Sequence, residues 1–103
     1  MRRLPVLLRQ EALADLEEIF AHLVETGADA AVVMGFVRRI RQKCEAIGEV
    51  PEGYPARPNL GPGIRIAPFE RSAVIAYRIA DGAVEIVSIF YGGRDYDALM
   101  RTD

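Results

Sequence analysis

The hydrophobic period of this chain changes once, across a stretch that cannot hold regular structure. Between Gly48 and Gly63 stand Pro51, Gly53, Pro55, Pro58, Gly61 and Pro62, residues that remove backbone donors and favour turns. Before that stretch apolar residues recur every three or four positions, the spacing of one face of a helix. After it they alternate with period two, the spacing of one face of a strand. The first half is therefore read as helical and the second as pleated.

Residues 10–26 predict a first helix, with Leu13, Leu16, Ile19, Phe20, Leu23 and Val24 on one stripe and Glu17, Glu18 and Glu25 outside it. Gly27 is a C-terminal stop, and Asp29 caps a second helix over 29–47. Its stripe is Val33, Phe36, Val37, Ile40, Cys44 and Ile47, and Gly48 ends it. Two helices joined by so few residues form an antiparallel hairpin, with Ala31 and Gly35 allowing close approach. Ahead of them, residues 4–8 read as a short strand with Pro5 near its start. Strands are expected near 64–69, 72–80 and 83–91, with turns at Glu70-Arg71 and Asp81-Gly82; Asp-Gly between apolar runs is a strong hairpin signal. The last strand is apolar on both faces apart from Glu85 and Ser88, which places it centrally in the sheet. Gly92-Gly93 breaks it, and Arg94 to Arg101 suggests a helical turn or two. The expected fold is α+β in two layers: an N-terminal strand, an antiparallel helical hairpin on one sheet face, and a three-stranded antiparallel meander. A single domain over 1–103 is expected, with flexible termini near 1–3 and 101–103.

Composition narrows the chemistry. The 103 residues carry 15 acids and 13 bases, a net charge of −2, too balanced to declare a nucleic-acid or membrane partner. Half the residues are hydrophobic, enough for a core. One cysteine and one histidine argue against a disulfide framework, a metal centre or a cofactor site, and suit a reducing cytoplasm. No apolar run approaches the roughly 18 residues of a membrane span. Twelve of the thirteen bases are arginine and Lys43 is the sole lysine. Arginine offers a planar fork to carboxylates and phosphates, and a high-GC genome would favour its codons as well.

Cys44 sits on the apolar stripe and reads as a buried thiol. His22 follows Glu18 by one helical turn and reads as exposed or salt-bridged, while Glu17 and Glu18 diverge by about 100° around the helix and cannot pair. Arg38, Arg39, Arg41 and Lys43 give the second helix a basic side. From Arg57 to Arg94 the arginines at 57, 65, 71, 78 and 94 outnumber Glu70, Asp81 and Glu85, with Tyr54, Phe69, Tyr77, Phe90 and Tyr91 interleaved. Such a mixture binds a phosphate backbone and stacks bases, or else flanks a core that the aromatics fill. Alternation puts Tyr77 with Ile75 and Ile79 and sends Arg78 the other way.

Taken in order, four segments resemble the ParE branch of the RelE/ParE-type toxins: Glu11 to Ile19, Gly63 to Phe69, Ala73 to Ile79, and Val84 to Tyr96 with its Arg94-Asp95 pair. The likeness covers residues 4 to 100. A histidine common near Tyr91 in that branch is absent. The resemblance implies the toxin of a type II toxin–antitoxin module, neutralised by a cognate antitoxin of the ParD-like ribbon-helix-helix kind that also carries the complex to operator DNA. ParE-like members poison DNA gyrase, whereas RelE-like members cleave messenger RNA on the ribosome, and one fold hosts both. A non-toxic binding adaptor is a third reading.

Residue chemistry separates these readings. A ribonuclease must deprotonate a 2′-hydroxyl and protonate a leaving oxygen, which calls for histidine, glutamate or lysine tuned towards neutrality. After Gly48 the chain has neither histidine nor lysine; arginine stabilises charge without moving protons, and tyrosine near ~10 is a weak acid at neutral pH. A non-catalytic gyrase inhibitor is therefore expected. Tyr91, Arg94 and Tyr96, beyond the core at the glycine break, are the candidates for target contact. Arg65, Arg71 and Arg78 are the candidates for pairing with an acidic antitoxin segment, together with the helical hairpin.

Overall fold

A computed structural model describes residues 3–92. Strand β1 (Val6–Leu8) leads into helix α1 (Gln10–Glu25), helix α2 (Ala30–Ile47) and, after the proline-rich stretch, strands β2 (Arg65–Phe69), β3 (Ala73–Ala80) and β4 (Ala83–Tyr91). Each lies within two residues of its expected bounds. The expected turns at Arg94 to Arg101 fall outside the described residues.

Local chemistry sets the boundaries. The Asp29 carboxylate accepts from the amides of Ala31 at 2.8 Å and Val32 at 3.3 Å, satisfying two donors that an α-helix leaves orphaned at its start. The connection between the helices turns at Gly27, whose φ of 99° is open to a residue without Cβ. At the far end of α2 the Leu4 amide donates to the Gly48 carbonyl at 2.8 Å. A Cβ on Gly48 would lie 2.5 Å from the Leu4 carbonyl oxygen, so the arm before β1 can cross there only over a glycine.

The sheet order is β1-β4-β3-β2. The last three strands form the expected antiparallel meander, and β1 adds to its far side in parallel, Val6 opposite Val84 and Leu8 opposite Ile86. That pairing makes β4 interior, as its two-sided apolarity requires. The register slips once: Tyr77 stands opposite Ile86, but Ala76 stands opposite Ser88. Val87 is the extra residue of a bulge, and it reverses the side-chain alternation of β4. Val84 and Ile86 before it, and Ile89 and Tyr91 after it, consequently all face the helices.

Ala12, Leu16 and Ile19 of α1 and Ile40, Cys44 and Ile47 of α2 close on Ile75, Tyr77, Val84, Ile86 and Ile89. Tyr77 is fully buried, and its hydroxyl donates to the Pro51 carbonyl at 2.9 Å. The opposite face is not bare. The proline-rich stretch makes a single 3-10 turn at Pro58–Leu60 and a bridge between Ala56 and Arg65. It lays Leu60 and Ile64 over Ile66 and Ala76, beside Val74, Val87 and Phe90.

Candidate functional site

Two neighbourhoods collect the functional side chains. The first is a corner where the β2–β3 turn and the end of β4 meet the middle of α2. Tyr91 closes β4 half-buried, its ring edge-on to Phe36 at 5.5 Å, and Phe36 also meets Phe69 at 5.9 Å. The Arg39 guanidinium lies over Phe36 at 5.6 Å and forks onto Glu70, Nε to Oε2 at 2.8 Å and Nη2 to Oε1 at 3.1 Å. Those two charge-assisted bonds hold the Glu70 carboxyl below the usual carboxylate range and raise Arg39 further. Glu70 and Arg71 both occupy the left-handed region, with φ of 49° and 65°.

Phe36, Arg39 and Glu70 are not among the target or antitoxin contacts that sequence singles out, where Glu70 figures as a turn residue and candidate acid or base and Arg39 only as part of a basic helix side. A signal for them existed: a tight turn between two apolar strands was to be made by Glu-Arg, with no glycine or asparagine for the positive φ values. Tyr91 itself is anchored in the core cluster rather than free, so only part of its ring is presented. Its companions Arg94 and Tyr96 lie outside the described residues.

The second neighbourhood is the sheet. Arg65 pairs with Tyr77 across β2 and β3 and therefore lies on the helix side, where its Nη1 donates to the Tyr54 carbonyl. Tyr54 is held in turn by Lys43, whose Nζ donates to its hydroxyl at 2.7 Å. Arg78, one residue past Tyr77, projects from the other face and donates through Nε to Glu85 Oε1 at 3.0 Å. Glu85 also has Arg9 Nη1 at 3.5 Å. Arg71 is exposed at the turn. The three arginines thus do not form one cluster: Arg65 and Arg78 share neither a face nor a partner.

His22 is exposed on α1 and lines a shallow cleft with Asp15, Glu18 and Tyr91. Asp15 is committed structurally, accepting from Ser88 Oγ at 2.9 Å and from the Ile89 amide at 2.8 Å. Cys44 is buried as expected, and burial pushes its thiol up to about 12. Burial also raises Tyr77. Among the described residues no three His, Cys, Asp or Glu side chains come together as metal ligands, and no helix is long and apolar enough to cross a membrane. On the described sheet the arrangement offers cationic forks and aromatic edges, with Glu85 paired and the Tyr77 hydroxyl engaged.

The family model described as ParE toxin of type II toxin–antitoxin system, parDE, matches residues 6–96. The chain belongs to the ParE toxin family. The match starts at the first residue of β1 and continues past Tyr91 through Arg94 and Tyr96, so a ParE-type sequence spans both the sheet and the candidate target contacts. Among solved structures, a chain of the chromosomal ParDE toxin–antitoxin system from P. aeruginosa is similar at a TM-score of 0.75 with 22% identity, covering 86% of this chain and 96% of that one. It shows that the ParE-family fold is shared. A conserved hypothetical protein from Helicobacter pylori, at a TM-score of 0.43 and 16% identity, covers 85% of this chain and 93% of its own. No curated protein matches.

Proposed function

We propose that this ParE-family chain is the toxin of a type II module, held inactive by a ParD-like ribbon-helix-helix antitoxin, and that it inhibits DNA gyrase by binding, without catalysing a reaction. The observation that carries the reading is the kind of polar group the chain has where a RelE-type ribonuclease would need its acids and bases. After Gly48 there is no histidine and no lysine. Glu70 is forked by Arg39, Glu85 has Arg78 and Arg9 within 3.5 Å, and the Tyr77 hydroxyl is buried against a carbonyl. Both carboxylates are held by arginines and the tyrosine hydroxyl is buried, so the described sheet presents cationic forks that stabilise charge on a partner without moving protons. Tyr91, Arg94 and Tyr96 are the proposed target contacts. Arg65, Arg71 and Arg78, with the helical hairpin, are the proposed antitoxin contacts; Arg71 is exposed at the turn, and Arg78 keeps part of its side chain open beside Glu85.

Purified protein assayed against both targets side by side tests this. Inhibition of gyrase supercoiling with messenger RNA left intact on the ribosome is the expected result. Ribosome-dependent cleavage with normal supercoiling would replace it by the ribonuclease reading. An adaptor would leave both reactions, and the growth of cells expressing the chain alone, unchanged.

A further inference from the structure

Helix α2 carries two cations one turn apart, and they meet different partners. Arg39 is forked onto the Glu70 carboxylate. Lys43, four residues on, meets a phenol: its Nζ donates to the Tyr54 hydroxyl at 2.7 Å and stands 5.2 Å from the centre of the same ring. A phenol gives an ammonium a hydrogen bond and a π face but no negative charge. Arg65 Nη1 donates to the carbonyl of that same tyrosine. Neither Lys43 nor Arg65 forms an ion pair among the described residues, and both are half-buried. Two partly desolvated cations around one tyrosine, with no carboxylate between them, leave charge for a partner to neutralise.

The space beside them narrows what that partner is. A cavity of about 340 Å³ opens where α2 runs into the proline-rich stretch, lined by Lys43, Ala46, Ile47, Val50, Gly53 and Tyr54. No acid is among those residues, and Val50 is 55% exposed. Backbone bonds fix its shape: the Val50 amide donates to the Ile47 carbonyl at 3.1 Å and the Gly53 amide to the Val50 carbonyl at 2.9 Å. The Tyr77 hydroxyl holds the Pro51 carbonyl between them. The Tyr54 hydroxyl accepts from Lys43 and so keeps its own proton to give, while the ammonium keeps two. Donors 2.7 Å apart suit the two oxygens of one carboxylate. A phosphodiester chain would need a track of cations. Here the preceding cation of the row, Arg39, is already paired, and the exposed Glu45, Glu49 and Glu52 flank the pocket in sequence.

We infer that the Lys43–Tyr54 pocket binds the carboxylate of an acidic side chain on a peptide partner. Lys43 Nζ and the Tyr54 hydroxyl are the donors, Arg65 positions Tyr54 through its carbonyl, and the aliphatic part of the incoming residue lies against Val50, Ala46 and Ile47. The antitoxin is the source of that side chain, and in this the inference rests on the proposed function. It gives the acidic antitoxin segment a defined anchor at the end of α2.

Propionate stands in for the acidic side chain. Titrated into the isotope-labelled chain against matched sodium chloride, it should shift the Gly53 and Tyr54 amide resonances saturably, with a dissociation constant of roughly 10 to 100 mM for so small a ligand. Lys43→Met and Tyr54→Phe keep the stem and the ring. Each should weaken that response at least about fivefold, with the rest of the spectrum native, and each should weaken antitoxin capture about tenfold, the worth of one charge-assisted bond. A native chain indifferent to propionate overturns the inference, as does a response that both variants keep. Dimethyl phosphate, run in parallel, mimics a phosphodiester; if it binds more tightly than propionate, the pocket serves nucleic acid and the inference fails. A propionate response lost in both variants while antitoxin capture stays unchanged also overturns it, and leaves the proposed function standing. An antitoxin that does not bind even the native chain refutes the proposed function instead, and the propionate titration still judges the pocket.

Discussion

Buried acids that cannot ionise make a fold vulnerable at high pH, and this core holds two. Cys44 is fully buried, and burial, reinforced by the neighbouring Glu45 charge, raises its thiol from 9.0 to about 12. Tyr77 is raised by burial as well. The unfolded chain releases the thiol proton near 9 while the folded chain keeps it, so the unfolded state binds fewer protons and stability falls as pH rises. The contribution is intact below 9 and declines between 9 and about 12, by about 1.4 kcal/mol per pH unit, with Tyr77 adding to the loss above its ordinary value of 10.0. Cys44→Ala should lower stability at neutral pH by about 1 kcal/mol through lost packing. Urea melts at pH 7, 9 and 11 should then show the gap between native and variant closing above pH 9 and reversed by pH 11. A constant gap would mean that the thiol ionises freely in the folded chain. At this scale the burial of Cys44 was legible, because a stripe position is a local property. The environments of Arg65 and Arg78 were not, since the Tyr54 carbonyl and Glu85 reach them only through sheet register and loop packing.

Elements were legible wherever one period ran unbroken, and the hairpin turns show where that legibility stops. Asp81-Gly82 has φ of 53° and 74°, the paired positive values that its Asp-Gly sequence announces. Glu70-Arg71 adopts the same backbone without glycine, because the bend delivers Glu70 to Arg39 on α2. Left-handed φ costs a residue with a Cβ about 1 kcal/mol or more, while glycine gives back about half of that through the entropy of the unfolded chain. Arg71→Gly should therefore stabilise by about 0.5 kcal/mol, raising Tm by a few degrees. It also deletes an exposed arginine among the proposed antitoxin contacts. A higher Tm with a several-fold weaker antitoxin complex is the expected pair of results, measured by calorimetry and titration on the same preparation. Unchanged antitoxin affinity would remove Arg71 from that surface. Asp29→Ala, by contrast, should lose about 1 kcal/mol through its cap bonds alone and leave antitoxin affinity as it was. The Val87 bulge was hidden for a different reason: a strand apolar on both sides carries no alternation whose reversal could be seen.

In the whole molecule, period says nothing about which strands pair or in which direction, so the parallel seam of β1 on β4 appears only in three dimensions. That seam, the helical hairpin and both hydrophobic clusters are built from residues within the described span, and the Gly92 amide closes the β3–β4 end by donating to the Ser72 carbonyl at 2.9 Å. A chain ending at Gly92 therefore retains the sheet, the hairpin and Arg65, Arg71 and Arg78, while losing Arg94 and Tyr96. If target contact and antitoxin contact are separate surfaces, this truncation divides them. It should melt cooperatively within several degrees of the full chain, capture antitoxin with affinity within about threefold, and fail to inhibit supercoiling at concentrations where the full chain does. Full inhibition by the truncated chain would remove the C-terminal segment from the target surface and leave the aromatic corner of Phe36, Phe69 and Tyr91 to account for it. Loss of antitoxin capture together with inhibition, in a chain that still melts cooperatively, would show that one surface serves both partners and that neutralisation works by direct occlusion.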